Sequence, residues 1–267
     1  MKKFFKKHWI DILVIIGLSA FLAWGGYQIY LRFNFAKKWT FFYDYFITNN
    51  GYKKLLTGLQ NTGIIAVLGL IIGIVIGTLI AVVRVIPPYK RLTRYAQKAC
   101  TVYVAFFRGT PLVVQLLVGY YILLPLLGMH LSPVMACVAI FGLNSGAYIS
   151  EIMRGGINSV DSGQLEAARA VGFPFSVAML KIVVPQAVKN ILPTLGNEFI
   201  ALVKETAVVG YVGAVDITKA FQDQGSNTYE FMIPYLVMAV VYIIIVAAIA
   251  ALVKLMERRL ARSERHG

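Results

Sequence analysis

The stretch SVDSGQLEAARAVGFPFSVAMLKIVVP, residues 159–185, is the longest segment of mixed polarity between two long apolar runs. Asp161 or Ser162 can cap a helix here, because either side chain can accept hydrogen bonds from the first free N–H groups. Residues 164–170 favour a helix. Gly172 can end it, because glycine adopts positive φ without a Cβ clash. The segment therefore predicts a short polar helix that stops at a glycine.

Two aromatic residues flank a proline directly after this helix. Phe173, Pro174 and Phe175 should form a turn that faces water. Exposed aromatic side chains in such a turn are typical of a surface that another protein covers. The alternative is a connecting loop that folds back on its own protein, and composition favours neither interpretation.

Composition indicates a membrane protein. The 267 residues are 58% apolar, with a mean hydropathy of +0.71, well above an ordinary globular domain. A helix needs ~20 apolar residues to cross a hydrocarbon core of ~30 Å. Six stretches meet this length approximately: 10–31, 59–83, 111–127, 132–153, 188–209 and 231–255. The first is too long and too aromatic for a signal peptide and is expected to be retained. The predicted fold class is all-α, polytopic, with about six transmembrane helices and a cytoplasmic loop.

The net charge of +14 follows the predicted topology. With six spans, 18 of the 26 lysines and arginines fall on one side and six on the other, while Arg108 and Lys204 lie at or inside the membrane. The positive-inside bias places both termini and the 159–185 loop in the cytoplasm. The basic charge therefore does not indicate nucleic-acid binding.

The sequence lacks the patterns of several site classes. Cys100 and Cys137 lie in or beside apolar spans, so neither a disulfide nor a metal site is expected. There is no CxxC, HExxH or GxSxG, and without any Gly-Lys pair there is no phosphate-binding loop. We expect no catalytic residues and no cofactor or metal bound by this chain. If ATP drives the protein, another subunit must bind it.

Acidic residues occur inside the fifth predicted span. Thr194, Glu198 and Glu205 are offset by four and seven residues, which puts them on one helix face. An ionised carboxylate at the bilayer centre costs ~2.5–3.5 kcal/mol, so this face should turn toward protein or water. Lining of a translocation path is the favoured interpretation. The alternative is a buried polar network or a subunit contact.

The fourth predicted span carries further polar side chains. Asn144, followed by Ser145, lies near its middle and needs partners from a neighbouring helix or a polar cavity. Glu151 and Arg154 are three residues apart and can pair locally. Asn144 is grouped with the predicted substrate path.

The third predicted span should have a kinked entrance. Pro111 cannot donate a backbone hydrogen bond, and Gly109 bends easily. Arg108 beside them is expected to extend to the cytoplasmic headgroups, with a role in an inner gate as the alternative.

The N-terminal half carries two more patterns. Gly69, Gly73 and Gly77 line one face of the second span and predict close helix packing, within the chain or across a dimer. Residues 32–54 carry clustered aromatics, typical of an amphipathic segment on the outer membrane surface. A cap that contacts substrate is the alternative.

Spaced motifs resemble a known family. Glu166-Ala167-Ala168, Gly172 and then residues 182–185 resemble the EAA loop of ABC-importer membrane subunits. Three further stretches resemble the polar amino acid permease branch: FFRGTP at 106–111, SGAYISE at 145–151 with RGG at 154–156, and GNEFI at 196–200. The resemblance covers roughly residues 55–257. The ending here is Val183-Val184-Pro185 where Leu-Pro is usual, which keeps the apolar character.

The resemblance implies partners. In that family the EAA loop forms a coupling helix that sits in a groove of an ATP-binding cassette subunit. The residues expected to couple here are Glu166, Ala167, Ala168, Gly172 and Phe173. An extracytoplasmic amino-acid-binding protein would deliver substrate, with residues 210–227 as an outer segment that could meet it. A second permease subunit, identical or similar, would complete the path, and alternating access driven by ATP on the partner would move substrate.

The resemblance also implies a substrate class. An acid at the Glu205 position is usual in amino acid permeases, whereas the Glu198 position varies between amide and acid. An acid at Glu198 indicates a bias toward cationic amino acids. The predicted substrate path comprises Glu198, Glu205, Asn144 and Thr194.

The predicted organisation has three parts: an extra N-terminal span and outer connection at 1–54, a transporter domain at 55–257 with its coupling loop at about 155–185, and a basic tail at 258–267. The predicted location is the cell membrane. A secondary transporter that uses intramembrane carboxylates is one alternative, although it needs no EAA-like loop and commonly has an internal repeat, which this sequence lacks. A scaffold or channel subunit is another, in which amide substitutions at Glu198 and Glu205 would spare uptake.

Overall fold

A computed structural model describes the backbone of residues 2–32 and 34–264, and the side chains of residues 13–28, 30 and 34–259. Much of the predicted basic tail, 258–267, has side chains outside these described residues. Within them every regular element is helical. The helices are α1 Lys2–Arg32, α2 Phe35–Tyr43, α3 Gly51–Val85, α4 Arg91–Gly109, α5 Leu112–Leu126, α6 Pro133–Asn158, α7 Ser162–Ala170, α8 Phe175–Val212, α9 Ile217–Thr228 and α10 Met232–Glu264.

Four described helices are long and apolar enough to cross a membrane: α3, α6, α8 and the Met232–Arg259 part of α10. The pair α4 and α5, bent by 106°, counts as a fifth if it is one span. The all-α, polytopic fold is therefore confirmed. The apolar part of α1 that the structure describes, Leu13–Gln28, is shorter than these spans, so a sixth span at 10–31 stays a prediction.

The third predicted span differs in its extent. Its limits at 111–127 match α5, but α4 precedes α5 across the bend and belongs to the same bent pair. A search for long apolar stretches misses α4, because its apolar side chains are interrupted by polar ones such as Arg94, Gln97 and Lys98. The expected kink between Arg108 and Pro111 is confirmed.

Helices α3 and α6 pack closely along the predicted glycine face. Gly69, Gly73 and Gly77 are all buried. A Cβ added at Gly73 would lie 2.9 Å from the Cβ of Ser145, and one at Gly77 would lie 2.7 Å from Ile149 Cγ2. The glycine face therefore serves packing within the chain, which lets α6 side chains touch the α3 backbone.

The buried core has an inner and an outer part. The inner part lies where α3, α5, α6 and α8 meet and contains Ile65, Leu116, Phe141, Leu202 and Val209. The outer part joins α2, α9 and α10 through Phe42, Ile217, Phe221 and Ile233. Helix α2 is thus packed onto α9 and α10.

Polar contacts strengthen this outer packing. Gln224 Nε2 donates to the carbonyl oxygen of Phe42 at 3.2 Å, and Asn227 Nδ2 donates to the Tyr45 hydroxyl at 2.7 Å. Lys38 pairs with Glu230 at 2.9 Å. Other aromatics of α2 keep about half of their surface exposed: Trp39, Phe41 and Tyr43. This mixture of packed and open aromatics fits the predicted amphipathic segment.

Candidate functional site

Glu198 lies on the side of α8 that faces α6. The Ser145 hydroxyl donates a hydrogen bond to Glu198 Oε1 at 2.9 Å. Ser145 is fully buried, whereas Glu198 is only partly buried. An acid inside a predicted span was expected to face protein or water. Glu198 faces protein, since its partner is a serine on a neighbouring helix.

The other two members of the predicted face are open. Thr194 is exposed and its hydroxyl donates to the carbonyl oxygen of Asn190 at 3.5 Å. Glu205 is also exposed and ends the α-helical part of α8. Val203, two residues before Glu205, is buried on the opposite side of α8, and Leu202 is buried as well. Thr194 and Glu205 are therefore open to line a cavity or meet another subunit, whereas Glu198 between them is partly covered by α6.

Asn144 lies next to Ser145 in sequence but serves a different contact. It is 3% exposed, and its side-chain amide donates to Gln115 Oε1 at 2.8 Å and to the carbonyl oxygen of Phe107 at 3.4 Å. The structure thus encloses Asn144 between α4, α5 and α6, and brings it close to the Glu198 site only through Ser145.

Gln115 closes the bend between α4 and α5. Pro111 has no N–H, so it cannot give Phe107 the hydrogen bond of a regular helix. Gln115 Nε2 donates instead to the Phe107 carbonyl at 2.8 Å, and lies 3.0 Å and 2.8 Å from the carbonyl and hydroxyl oxygens of Thr110. Sequence reasoning missed Gln115. The available signal was an amide four residues after a proline inside an apolar run.

A cluster of opposite charges joins three helices near their predicted cytoplasmic ends. The expected local pair is confirmed, since Arg154 donates to Glu151 at 2.7 Å and 3.1 Å. Arg84 of α3 also donates to Glu151. Arg108 lies 3.9 Å from the same carboxylate and 5.5 Å from the Tyr148 ring centre. Glu151 therefore faces three guanidinium groups, and Arg108 has partners on α6.

The polar loop forms the predicted short helix. Asp161 caps α7 by accepting a hydrogen bond from the backbone N–H of Gly163 at 2.8 Å. Glu166 and Ala167 are exposed, while Ala168 is buried. One small residue thus packs against the protein, and the outer side of α7 is left open.

The end of α7 follows the predicted glycine stop. Gly172 has φ +91°. Its N–H donates to the Arg169 carbonyl, and the N–H of Phe173 donates to the Ala168 carbonyl, both at 3.1 Å. This pair of bonds is a Schellman motif. Phe173 is 45% exposed and Val171 75% exposed, so the turn presents apolar surface outward.

The outer segment after α8 is tied to its neighbours. Asp216 is fully buried and caps α9 by accepting from the backbone N–H groups of Thr218 and Lys219 at 2.9 Å and 2.8 Å. Burial raises the pKa of Asp216. Asn61 of α3 donates to the Val215 carbonyl at 2.8 Å. These contacts hold the 206–217 segment against α3.

Comparisons with known proteins agree with this architecture. Residues 69–262 match the family of binding-protein-dependent transport system inner membrane components. Arginine transport system permease protein ArtQ of Bacillus subtilis is 36% identical over 212 residues, which cover 79% of this chain and 94% of ArtQ. A protein of Rickettsia bellii that is named as a glutamine transport system permease, GlnP, is 40% identical over 195 residues, which cover 73% of this chain and 87% of that protein.

Solved structures show the same fold. The crystal structure of an amino acid ABC transporter with histidines is 36% identical, has a TM-score of 0.73, and matches 81% of this chain and 98% of that chain. A bacterial alginate ABC transporter, at 15% identity and a TM-score of 0.60, shares the fold over 97% of this chain. Because the family match covers most of the sequence, the chain belongs to the binding-protein-dependent transport system inner membrane component family, as its motifs predicted.

Proposed function

We propose that the chain is the membrane permease subunit of an ATP-driven amino acid importer, and that it favours cationic amino acids. The observation that carries the substrate preference is the α8 face, where Glu198 and Glu205 stand seven residues apart with Glu198 held by Ser145 at 2.9 Å. Two carboxylates on one face suit a substrate ammonium or guanidinium group. The names of the arginine and glutamine permease relatives support an amino acid as the cargo.

The coupling part of the proposal rests on α7. A capped helix of nine residues with an open outer side and an exposed Phe173 offers a compact projection that a groove on an ATPase subunit can receive. Glu166, Ala167, Ala168, Gly172 and Phe173 are the residues proposed to couple. ATP would bind that partner, and both termini would lie on the same cytoplasmic side as α7, in line with the positive-inside bias.

The assembly proposed is a pair of permease subunits with two ATPase subunits and an extracytoplasmic binding protein. One copy of the α8 face supplies half of a two-fold path, so a second copy or a similar chain would supply the other half. The segment around α9 lies at the opposite end of the spans from α7 and is the proposed side for the binding protein.

Uptake into proteoliposomes tests the substrate preference. We expect Glu198→Gln to reduce uptake of lysine and arginine about tenfold or more while changing glutamine uptake less, because a charge-assisted hydrogen bond is lost. Thr194→Val on the same face is the control for loss of a polar group with no change in charge. Equal loss for all three amino acids would contradict a charge-reading role.

Co-purification tests the coupling. An ATPase subunit should purify with the wild-type chain and be lost from a Glu166→Lys, Gly172→Pro variant. If lysine uptake needs no ATP and no ATPase subunit purifies with the chain, the importer proposal fails and a secondary transporter takes its place.

A further inference from the structure

We infer that Ser145 is a positioning residue for the proposed substrate site, and that its hydroxyl fixes the orientation in which the Glu198 carboxylate meets a cationic substrate. This inference rests on the proposed function. It gives a role to a residue on α6 in a site whose two carboxylates lie on α8. Ser145 itself need not touch the substrate.

The first support is the shape of the contact. Ser145 Oγ donates to one oxygen, Glu198 Oε1, at 2.9 Å. Among the described residues, the other carboxylate oxygen has no hydrogen-bond partner. One oxygen is therefore anchored and one is available, which is the arrangement of a carboxylate prepared for a second donor.

The second support is that Ser145 is held from behind. Gly73 on α3 leaves so little space that a Cβ there would lie 2.9 Å from both the Cβ and the Oγ of Ser145. Ser145 has no exposed surface. The α3 backbone thus limits where the serine hydroxyl can turn, and the serine in turn limits where the carboxylate can turn.

The energetic consequence is pre-organisation. A glutamate side chain that is free to rotate must lose rotamer freedom when it binds a ligand. A hydrogen bond to an ionised carboxylate in a site of low dielectric is stronger than one between neutral groups. Ser145 would therefore lower the cost of ordering Glu198 on each binding event, which appears as affinity for the cation.

Asn144 and Ser145 are adjacent in sequence but contact different helices. Asn144 bonds Gln115 at 2.8 Å and supports the bend between α4 and α5, whereas Ser145 bonds α8. Removing the Ser145 hydroxyl leaves the Asn144 contact in place. A change at Ser145 can thus alter Glu198 without releasing the bend.

The test measures substrate affinity in the assembled complex. The permease, its second subunit and the ATPase subunit are placed in lipid nanodiscs, and binding of radiolabelled lysine and glutamine is measured without the binding protein. We expect Ser145→Ala to weaken lysine binding about tenfold and glutamine binding less than about twofold. The maximal lysine transport rate, measured with saturating binding protein in proteoliposomes, should stay near the wild-type value.

Two other serine variants sharpen the result. Ser145→Cys keeps a weak donor of similar size and should recover part of the lysine affinity. Ser150→Ala is the matched control, because Ser150 is also fully buried on α6 but donates only to the carbonyl of Ala147 on its own helix, at 2.8 Å. It should bind both amino acids like the wild type.

Glu198→Gln, measured in parallel, distinguishes a failure of the Ser145 role from a failure of the proposed substrate site. If Glu198→Gln weakens lysine binding and Ser145→Ala does not, the positioning role is overturned while the proposed site stands. If Ser145→Ala weakens lysine and glutamine equally, or lowers only the maximal rate, the positioning role is also overturned. If Glu198→Gln leaves lysine binding unchanged, the proposed site fails, and the role of Ser145 fails with it.

Discussion

The side-chain amide of Gln115 donates to the carbonyl oxygen of Phe107 at 2.8 Å, the acceptor that Pro111 leaves without its regular helical partner. A glutamine from the next helix thus completes the hydrogen bonding of a broken span. Backbone groups inside a membrane have no water to satisfy them, so such a replacement is required where a helix breaks. The bend is a built feature of the fold.

Removal of this amide should destabilise the protein. Gln115→Leu would leave the Phe107 carbonyl with only the long contact from Asn144. It would also remove Gln115 Oε1, the acceptor of the Asn144 side-chain amide. We expect the free energy of unfolding to fall by about 1–3 kcal/mol. The thermal melting of the purified protein in detergent measures this. Gln186→Leu is the control, because Gln186 is exposed and donates only within its own helix, to Ile182 at 2.9 Å. Equal melting of the two variants would show that the bend does not need Gln115.

Substitution at Gly73 should disturb the contact between α3 and α6. A Cβ at Gly73 meets Ser145 at 2.9 Å, and overpacking of this kind typically costs about 1–3 kcal/mol. Gly63→Ala on the same helix has nothing within 4 Å of the new Cβ and should be neutral or slightly stabilising, because alanine favours helix. Melting temperatures of the two alanine variants test this difference. A Gly63→Ala protein that melts below Gly73→Ala would contradict the packing argument.

The charge cluster at Glu151 should be sensitive to loss of its single acid. Glu151→Gln leaves Arg84, Arg154 and Arg108 close together without a negative partner. Like charges then repel, and we expect a loss of about 1–3 kcal/mol in the free energy of unfolding. The double variant Glu151→Gln, Arg84→Gln should recover part of this loss. A double-variant cycle in chemical denaturation measures the coupling, and additivity of the two changes would rule out a direct Arg84–Glu151 interaction.

The stop of α7 should require glycine. Gly172→Ala forces an ordinary residue into φ +91°, a strained region that costs about 1–2 kcal/mol. Phe173 would then be displaced, and we expect less ATPase subunit to purify with the chain. Gly155→Ala, where the new Cβ has nothing within 4 Å, is the matched control near the same membrane face. Undiminished recovery of the ATPase subunit with Gly172→Ala would show that the glycine conformation is not needed for docking.

The outer face should lose stability in acid. Burial acts to raise the pKa of Asp223, but hydrogen bonds from Lys219 and Lys54 outweigh it and hold that pKa below its usual range. A carboxyl with a lowered folded pKa contributes stability above its unfolded pKa, near 3.9, and loses it as the pH falls through the folded pKa. Asp223→Asn should therefore melt lower than wild type at neutral pH and approach it in acid. Asp44→Asn, at an exposed acid of the same outer region, is the comparison. A difference in melting temperature between Asp223→Asn and wild type that stays constant with pH would contradict the lowered pKa of Asp223.

Local patterns predicted much of the fold and part of the site. The cap at Asp161, the stop at Gly172 and the shared face of Glu198 and Glu205 depend on residues within one helix, so spacing alone suffices to place them. The pair of Glu151 and Arg154 was predictable for the same reason, at an offset of three.

Contacts between helices were not predictable in this way. Gln115 meets Asn144 across 29 residues, and Arg84 meets Glu151 across 67. Sequence spacing carries no information on such pairs, because they depend on how separate helices dock. The extent of the third span was not predicted because α4 carries polar side chains that interrupt its apolar run.

The packing of α3 on α6 has a consequence for how such a protein can move. Glycines of each helix receive side chains of the other: Gly73 faces Ser145 of α6, while Gly142 and Gly146 of α6 face Ile72 and Ile76 of α3. Interlocked in both directions, the two helices cannot slide past each other by a turn without a clash. They behave as one rigid unit, so any rearrangement that opens and closes a passage must occur at other helix–helix contacts.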